Sequence, residues 1–373
     1  MLAGVTYGGG GADVDVDGRG LLAAAGVLFP DELGRILLVR VSYQAKYPIE
    51  IPGGGWEPPD GSPRRTAIRE IEEELGITPR LGPLACLDWS LDRLRPPIAA
   101  FLYWAEPLTG DQLAALRLEE EELGAYAFLT PDQVSSALPP RLSRRVTACL
   151  SAPRAAGPLE LENGRPVGHS ARHLPADPPP PPYTGAAGLP WPGDRDRPAP
   201  PPPPMDRATY IASRPRILAK ARTLFTDPDG RVLLVRLMPW ERDPAPHWTL
   251  PGGSIESDRE LPRAAAAREL GEELGWDRTP GRLLGLDWTA ITDDEGRDSA
   301  VLTYVFDGGT ADPAELAAIR LPEDELVEWG LFDPDEAREV LAEPSWRRLL
   351  ACLAARDGEG GPVELVAGRP AGP

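Results

Sequence analysis

The sequence predicts a mixed α/β protein: two α/β/α sandwich domains in tandem, each with a mixed sheet, joined by a proline-rich linker. Three observations predict it. Short β-branched apolar runs and helical patterns follow one another without the regular strand–helix alternation of a parallel sheet. One ordered set of short motifs occurs twice. Between the two sets lies "HLPADPPPPPYTGAAGLPWPGDRDRPAPPPPPM", His173 to Met205, rich in proline and poor in core-forming residues.

The repeated motifs keep their order. "GRILLVR" (Gly34 to Arg40) matches "GRVLLVR" (Gly230 to Arg236), and "IPGG" at Ile51 matches "LPGG" at Leu250. "LDW" recurs at Leu87 and Leu286, and "RLEEEEL" at Arg117 matches "RLPEDEL" at Arg320. "ELENGRPVG" at Glu160 matches "ELVAGRPAG" at Glu364. Each copy is domain-sized, so this is a duplication and not a solenoid. The expected organisation is a flexible acidic leader at 1–19, a first domain at 20–168, a linker at 169–205 and a second domain at 206–373. The linker reads as an extended polyproline spacer, with an SH3-type ligand as the sharper alternative.

Within each copy the elements follow in order. "AAAGVLF" and "RILLVRV" are apolar strand runs split by "PDELG", a hairpin signal; "ARTLF" and "RVLLVRL" flank "TDPDG" in the same way. The glycines at Gly53–Gly55 and Gly252–Gly253 predict a loop. Ser62 and Pro63 then read as N-cap and first helical residue. The helix "PRRTAIREIEEEL" places Ala67, Ile71 and Leu75 on one inward stripe, and Gly76 and Gly275 are stop signals. Strands "PIAAFLYWA" and "AVLTYVF" follow, and a second helix, "PDQVSSAL" or "PDEAREVL", closes each unit.

Composition narrows the partners. The 373-residue chain has a formal net charge of −19 and no Lys/Arg-rich run, which argues against nucleic acid and anionic membranes and suits a protein that holds cations. It has no apolar stretch of transmembrane length and no basic-then-apolar start. Cys86, Cys149 and Cys352 lie in apolar surroundings without metal spacing. They are expected as reduced core thiols, and a cytoplasmic location follows as the default.

The unusual feature is the helix end. "REIEEELG" runs from Arg69 to Gly76, and "RELGEELG" from Arg268 to Gly275. Glu70, Glu73 and Glu74 share one face, as do Glu269, Glu272 and Glu273. They sit at the negative end of the helix dipole, where each exposed carboxylate costs about 0.3–1 kcal/mol. Something positive must offset that repulsion. The pattern resembles the box of the Nudix hydrolases: a Gly, five residues, a Glu, seven residues, then Arg-Glu-U-x-Glu-Glu-x-Gly-U, with U bulky and apolar. The first copy supplies Arg69, Glu70, Ile71, Glu73, Glu74, Gly76 and Ile77; the second supplies Arg268, Glu269, Leu270, Glu272, Glu273, Gly275 and Trp276. Glu260 stands where the box asks for its earlier Glu, but Ser254 replaces the opening Gly. In the first copy Gly55 fits and Gly61 falls where the Glu belongs, with Asp60 beside it as a substitute.

The resemblance implies two Nudix-type sandwich domains and an Mg²⁺- or Mn²⁺-dependent pyrophosphohydrolase. The substrate class would be a nucleoside diphosphate linked to another moiety: a nucleoside triphosphate, an oxidised one, or an ADP-ribose-like compound. Glu73, Glu74, Glu272 and Glu273 would be the principal metal ligands, with Glu70 and Glu269 assisting. A later carboxylate, Glu122 or Glu325, would be a further ligand or general base, against the plainer reading of a solvated acidic run. Arg69 and Arg268 would pair with a carboxylate and fix the helix. Gly54, Gly55 and Gly253 would give backbone room beside the substrate. Trp248 and Trp56 would stack on a base or pack as indoles, and His247 is a loop residue near the site. Because Gly61 lacks the box carboxylate, the second copy is expected to carry more of the hydrolysis. The alternative function is a non-catalytic nucleotide-sensing or scaffold module, at least for the first copy.

Overall fold

The computed structural model describes residues 20–168 and 207–372, apart from 43–47, 93–95, 120–121, 155–156, 240–246, 257–258, 293–295 and 359. The expected leader, the expected linker and two glutamates of the "EEEE" run lie outside the described residues. The chain forms two compact units, Leu22–Pro215 and Arg216–Gly372.

In the first unit the strands are β1 (Leu22–Leu28), β2 (Ile36–Val41), β3 (Ile49–Glu50), β4 (Gly53–Gly55), β5 (Leu81–Ser90), β6 (Ile98–Ala105), β7 (Leu123–Leu129), β8 (Leu159–Glu162) and β9 (Arg165–Pro166). The helices are α1 (Pro63–Leu75), α2 (Gly110–Ala115), α3 (Pro131–Ala137), α4 (Pro140–Ser151) and α5 (Arg207–Ser213). One sheet runs β4-β1-β6-β5-β8-β9, and a smaller one β3-β2-β7. β1 is parallel to β6 and antiparallel to β4, so the larger sheet is mixed, as expected.

The second unit repeats this order with β10 (Leu218–Thr226), β11 (Val232–Leu237), β12 (Trp248–Thr249), β13 (Gly252–Ser254), α6 (Pro262–Leu274), β14 (Leu283–Thr292), β15 (Asp298–Thr310), α7 (Pro313–Ala317), β16 (Leu326–Phe332), α8 (Ala337–Val340), α9 (Glu343–Asp357), β17 (Val363–Val366) and β18 (Arg369–Pro370). Its sheet runs β12-β11-β10-β15-β14-β17-β18, with β13 on β10 and β16 on β11.

Three expectations are corrected. The first strand pair is a hairpin only at its turn in the first copy: one antiparallel bridge joins Pro30 to Ile36, and beyond it β1 pairs with β4 and β6, and β2 with β3 and β7. β2 is buried along nearly its whole length and β1 is almost as apolar, so each needs neighbours of its own. The turn between them is nonetheless locally built. Asp31 accepts from the Leu33 and Arg35 amides and from Arg35 Nε, and Asp227 accepts the equivalent bonds from Asp229 and Arg231. Secondly, the glycine loop is a short strand. Gly53–Gly55 pairs with β1 and Gly252–Ser254 with β10. Gly53 has φ +138°, and a Cβ on it would lie 2.3 Å from the Ala25 carbonyl oxygen, so only glycine fits that ladder position. Thirdly, the "PDQVSSAL" helix does not close the unit. Pro139 and Pro140 stop α3 and start α4, which packs on β5, and the β8–β9 hairpin follows. In the second copy only Ala337–Val340 of "PDEAREVL" is helical, and α9 does the covering.

The box helices form as the sequence predicts. Ser62 Oγ accepts the Arg65 amide, Pro63 opens α1, and Gly76 ends it at φ +68°. Ala67, Ile71 and Leu75 are fully buried.

The repeated "LDW" and "GRP" motifs form one lock. Asp88 is fully buried; its carboxylate takes Arg145 Nε at 2.8 Å and the Gly164 amide at 2.9 Å. Asp287 takes Arg348 Nη1 at 2.8 Å and the Gly368 amide at 2.9 Å. Both glycines sit in hairpin turns whose preceding residue is also left-handed: Asn163 at φ 53° and Ala367 at φ 50°. Asparagine tolerates that region and alanine does not. Ala367→Asn is therefore expected to stabilise the second unit by about 1 kcal/mol. Gly368→Ala should destabilise it, since a Cβ there would lie 2.2 Å from the Pro344 carbonyl oxygen. Denaturant unfolding against the parent chain measures both, and an Asn variant no more stable than the parent would contradict the turn argument.

Candidate active site

The carboxylates project from the last turns of α1 and α6 onto the neighbouring glycine strand. Glu74 is buried, and its Oε2 accepts the Gly53 amide at 2.8 Å. Glu273 is buried likewise and accepts the Gly252 amide at 2.5 Å. The carboxylate of Glu70 occupies the side-chain space of Gly54, where a Cβ would lie 2.4 Å from it; Glu269 does the same at Gly253, at 2.5 Å. The room given by Gly54 and Gly253, expected to serve the substrate, is taken by these glutamates.

Burial sets their protonation. It pushes Glu74 and Glu273 up to about 8 and Glu70 up to about 7, against the opposing pull of the glycine amides and the arginines, and it raises Glu269 as well. Neighbouring carboxylates add to the rise. Glu122 and Glu50 both act on Glu74, and Glu325 acts on Glu273. The exposed Glu122 and Glu325 thus lie within electrostatic reach of the buried box glutamates, and so does Glu50, which the sequence did not single out.

One arginine per copy ties the box together. Arg69 Nε meets Asp60 Oδ1 at 2.8 Å and Nη1 meets Glu73 at 2.8 Å, while Nη2 donates to the Gly55 carbonyl at 3.0 Å. Arg268 repeats every contact: Nε to Glu260 at 2.9 Å, Nη1 to Glu272 at 2.6 Å, Nη2 to the Ser254 carbonyl at 2.9 Å. Asp60 therefore occupies the place of Glu260. A single 3₁₀ turn, Pro58–Asp60, followed by Gly61 at φ +69°, brings the shorter side chain into reach. Burial alone would raise both acids; the arginine and backbone bonds outweigh it and hold Asp60 and Glu260 below the usual carboxylate range. The missing carboxylate at Gly61 consequently gives no reason to favour the second copy.

The copies differ instead in their cations. β10 carries the half-buried Lys220 and the buried Arg222, where the matching positions of β1 are Ala24 and Gly26. Arg222 donates to the Leu250 carbonyl, and its charge acts on Glu273 and Glu269. Lys220 is pushed down to about 8 by burial and by Arg222 and Arg348, and its charge interacts with that of Glu269. Sequence reading passed over both because they sit inside an apolar strand. Trp248 makes an edge contact with Phe332 at 4.8 Å and packs on the second core; Trp56 is buried. His247 is exposed.

Among the described residues no three His, Cys, Asp or Glu side chains are already gathered closely enough to hold an ion. The donor set nevertheless fits a hard divalent cation. It is all carboxylate oxygen, and burial disfavours its charge in a way that an adjacent cation reverses. The pH consequence has a definite sign. A carboxyl raised from 4.5 to about 8 by folding stabilises the metal-free fold below the lower value and loses that contribution as pH rises through the upper one. In the presence of a chelator, the melting temperature should fall between about pH 5 and pH 8. The fall should be shallower in Glu74→Gln/Glu273→Gln, as scanning calorimetry would show; equal slopes would refute the burial account.

The family model described as NUDIX domain matches residues 20–148 and 218–352, well over half of the chain and once on each copy. Among solved structures, a MutT protein from Methanosarcina mazei Go1 is 23% identical over 39% of this chain and 96% of its own, with a TM-score of 0.31. An ADP-ribose pyrophosphatase from Streptococcus suis 89-1591 is 18% identical over 40% and 98%, with a TM-score of 0.27. An Ap4A hydrolase from C. elegans is 20% identical over 38% and 97%, with a TM-score of 0.28. No curated protein matches. On the twofold family match, the chain belongs to the Nudix hydrolases, enzymes that act on pyrophosphate bonds.

Proposed function

We propose that the two copies, at 20–168 and 206–373, are divalent-cation-dependent pyrophosphohydrolases of a nucleoside diphosphate linked to another moiety, releasing a nucleoside monophosphate and a phosphorylated remainder. The observation that carries this reading is the pair Glu70–Glu74, repeated as Glu269–Glu273: Glu74 and Glu273 are buried on glycine-strand amides, and Glu70 and Glu269 fill the side-chain space of the next glycine. Glu70, Glu73 and Glu74, or Glu269, Glu272 and Glu273, would hold Mg²⁺ or Mn²⁺. Bound there, the ion would neutralise diphosphate oxygens and acidify a water. Arg69 and Arg268 keep the helix and the loop carbonyl in one geometry. Glu122 and Glu325 would accept the proton of an attacking water at a carboxylate oxygen; the charge that each exerts on the buried glutamate of its copy supports this reading.

Supporting the choice of a small nucleotide substrate is the absence of any basic run in a chain of net charge −19. No helix among the described residues is long and apolar enough to cross a membrane. Cys86, Cys149 and Cys352 are buried free thiols, consistent with the proposed cytoplasmic setting. The departures that favour a non-catalytic binding module are Gly61 and Ser254; the Asp60–Arg69 pair supports the catalytic reading of the first copy.

Replacing Glu73, Glu74, Glu272 and Glu273 together by Gln should reduce metal-dependent hydrolysis by more than about a hundredfold, because even outer partners of a metal are worth about 10–100-fold. Each double variant alone should retain the activity of the other copy. A nucleotide panel read by chromatography, with and without Mg²⁺, tests this, and unchanged turnover in the quadruple variant would refute the hydrolytic reading.

A further inference from the structure

Directly paired residues of an antiparallel ladder share a face, and neighbouring pairs face opposite ways. Ala25–Gly54 and Ala221–Gly253 are such pairs, and they face the box helix, because Glu70 and Glu269 fill the glycine side. Ala24–Gly55 and Lys220–Ser254 therefore face the other side of the glycine strand. In the second copy that side carries the Lys220 ammonium, whose charge acts on Glu269. In the first copy it carries only a methyl group and a hydrogen.

The space is filled from far along the chain. Arg214, 157 residues beyond Glu57, belongs to the first compact unit. Its Nη2 lies 2.2 Å from where a Cβ on Gly55 would stand, and donates to the Trp56 carbonyl at a long 3.5 Å. Its Nη1 meets Glu57 Oε1 at 3.2 Å, and the side chain is only 19% exposed. Its charge acts on Glu70, the counterpart of Glu269. Gly55 is thus required by the guanidinium lying against it. Ser254, with Lys220 opposite, has no such demand, which accounts for the Gly/Ser difference between the boxes.

We propose that Arg214, carried by the segment after the linker, is a positioning residue of the first active site and does there what Lys220 does from within its own strand in the second. The first site is then complete only in a chain whose linker delivers residue 214. The catalytic consequence rests on the hydrolytic reading above; the structural consequence does not.

The test uses the full-length chain with the second copy silenced by Glu272→Gln/Glu273→Gln. Into it go Arg214→Ala and the double change Arg214→Ala/Ala24→Lys, which moves the cation onto β1 as in the second copy. ADP-ribose and ATP serve as probes for kcat and KM, and amide hydrogen exchange is followed at Gly53–Glu57 without nucleotide or metal. Arg214→Ala should lower kcat/KM by about ten- to a hundredfold, the scale of small misplacements at a reacting centre, and should speed exchange at those amides. Ala24→Lys should recover most of both, a rescue that a mere structural tether would not allow. Unchanged exchange and turnover in Arg214→Ala would overturn the proposal, and so would loss without rescue by Ala24→Lys. If the parent shows no first-copy hydrolysis, the hydrolytic reading fails for the first copy, and the exchange pattern alone decides for or against Arg214.

Discussion

A carboxylate removed from water must be met by donors or lose its charge, and each copy buries one glutamate and half-buries or buries a second on the same helix face. The structure meets them with the backbone of a glycine strand. Glu74 and Glu273 take the amide of the first glycine, while Glu70 and Glu269 take the space of the second. The local sequence follows from this contact. The first glycine must adopt a positive φ against the adjoining strand, the second must lack a side chain, and the helix must end soon after its glutamates so that they reach the strand. Amides and arginines offset the effect of burial only in part, and the carboxyls stay well above their ordinary range.

The arginine fork shows how a contact survives a change of register. Arg69 and Arg268 have the same set of partners: a loop acid, a box glutamate and the carbonyl that closes the glycine strand. In one copy the loop acid is a glutamate eight residues before the arginine; in the other it is an aspartate nine residues before it. On a 3₁₀ turn the shorter Asp60 side chain meets its arginine as the longer Glu260 side chain does. What is fixed is the position of the carboxylate oxygens, as a bidentate guanidinium demands.

Features set by local chemistry were legible in the sequence. The caps Ser62 and Gly76, the inward stripe of α1, the duplication and the box glutamates all announce themselves by residue type at short spacing. Features set by strand pairing were not. "IPGG" and "LPGG" look like loops because glycine weakens strands in isolation, yet the close approach of β1 and β10 makes them strands. The turn after β1 carries an unmistakable Asp-mediated signal but says nothing of which sheet each flanking strand joins. Lys220 and Arg222 were hidden for the same reason: a cation within an apolar strand has meaning only once the opposite strand is known. Arg214 could not be assigned at all, since no local pattern links residue 214 to residue 55.

The pattern of divergence between the copies has a physical logic. The Asp88–Arg145 and Asp287–Arg348 locks are unchanged, each fully buried acid also holding a hairpin amide. Removing one partner of such a pair strands a buried charge, at about 3–5 kcal/mol, so no single substitution can leave it. The cation behind the glycine strand is under a weaker constraint. Lys220 is half-buried and Arg214 is held partly by the half-exposed Glu57, so neither site depends on one irreplaceable geometry. Charge at that point can be delivered by strand or by distant segment, provided the residue facing it shrinks to match. Duplicated domains thus drift first where a requirement is for charge near a place, and last where it is for specific atoms in a closed set of bonds.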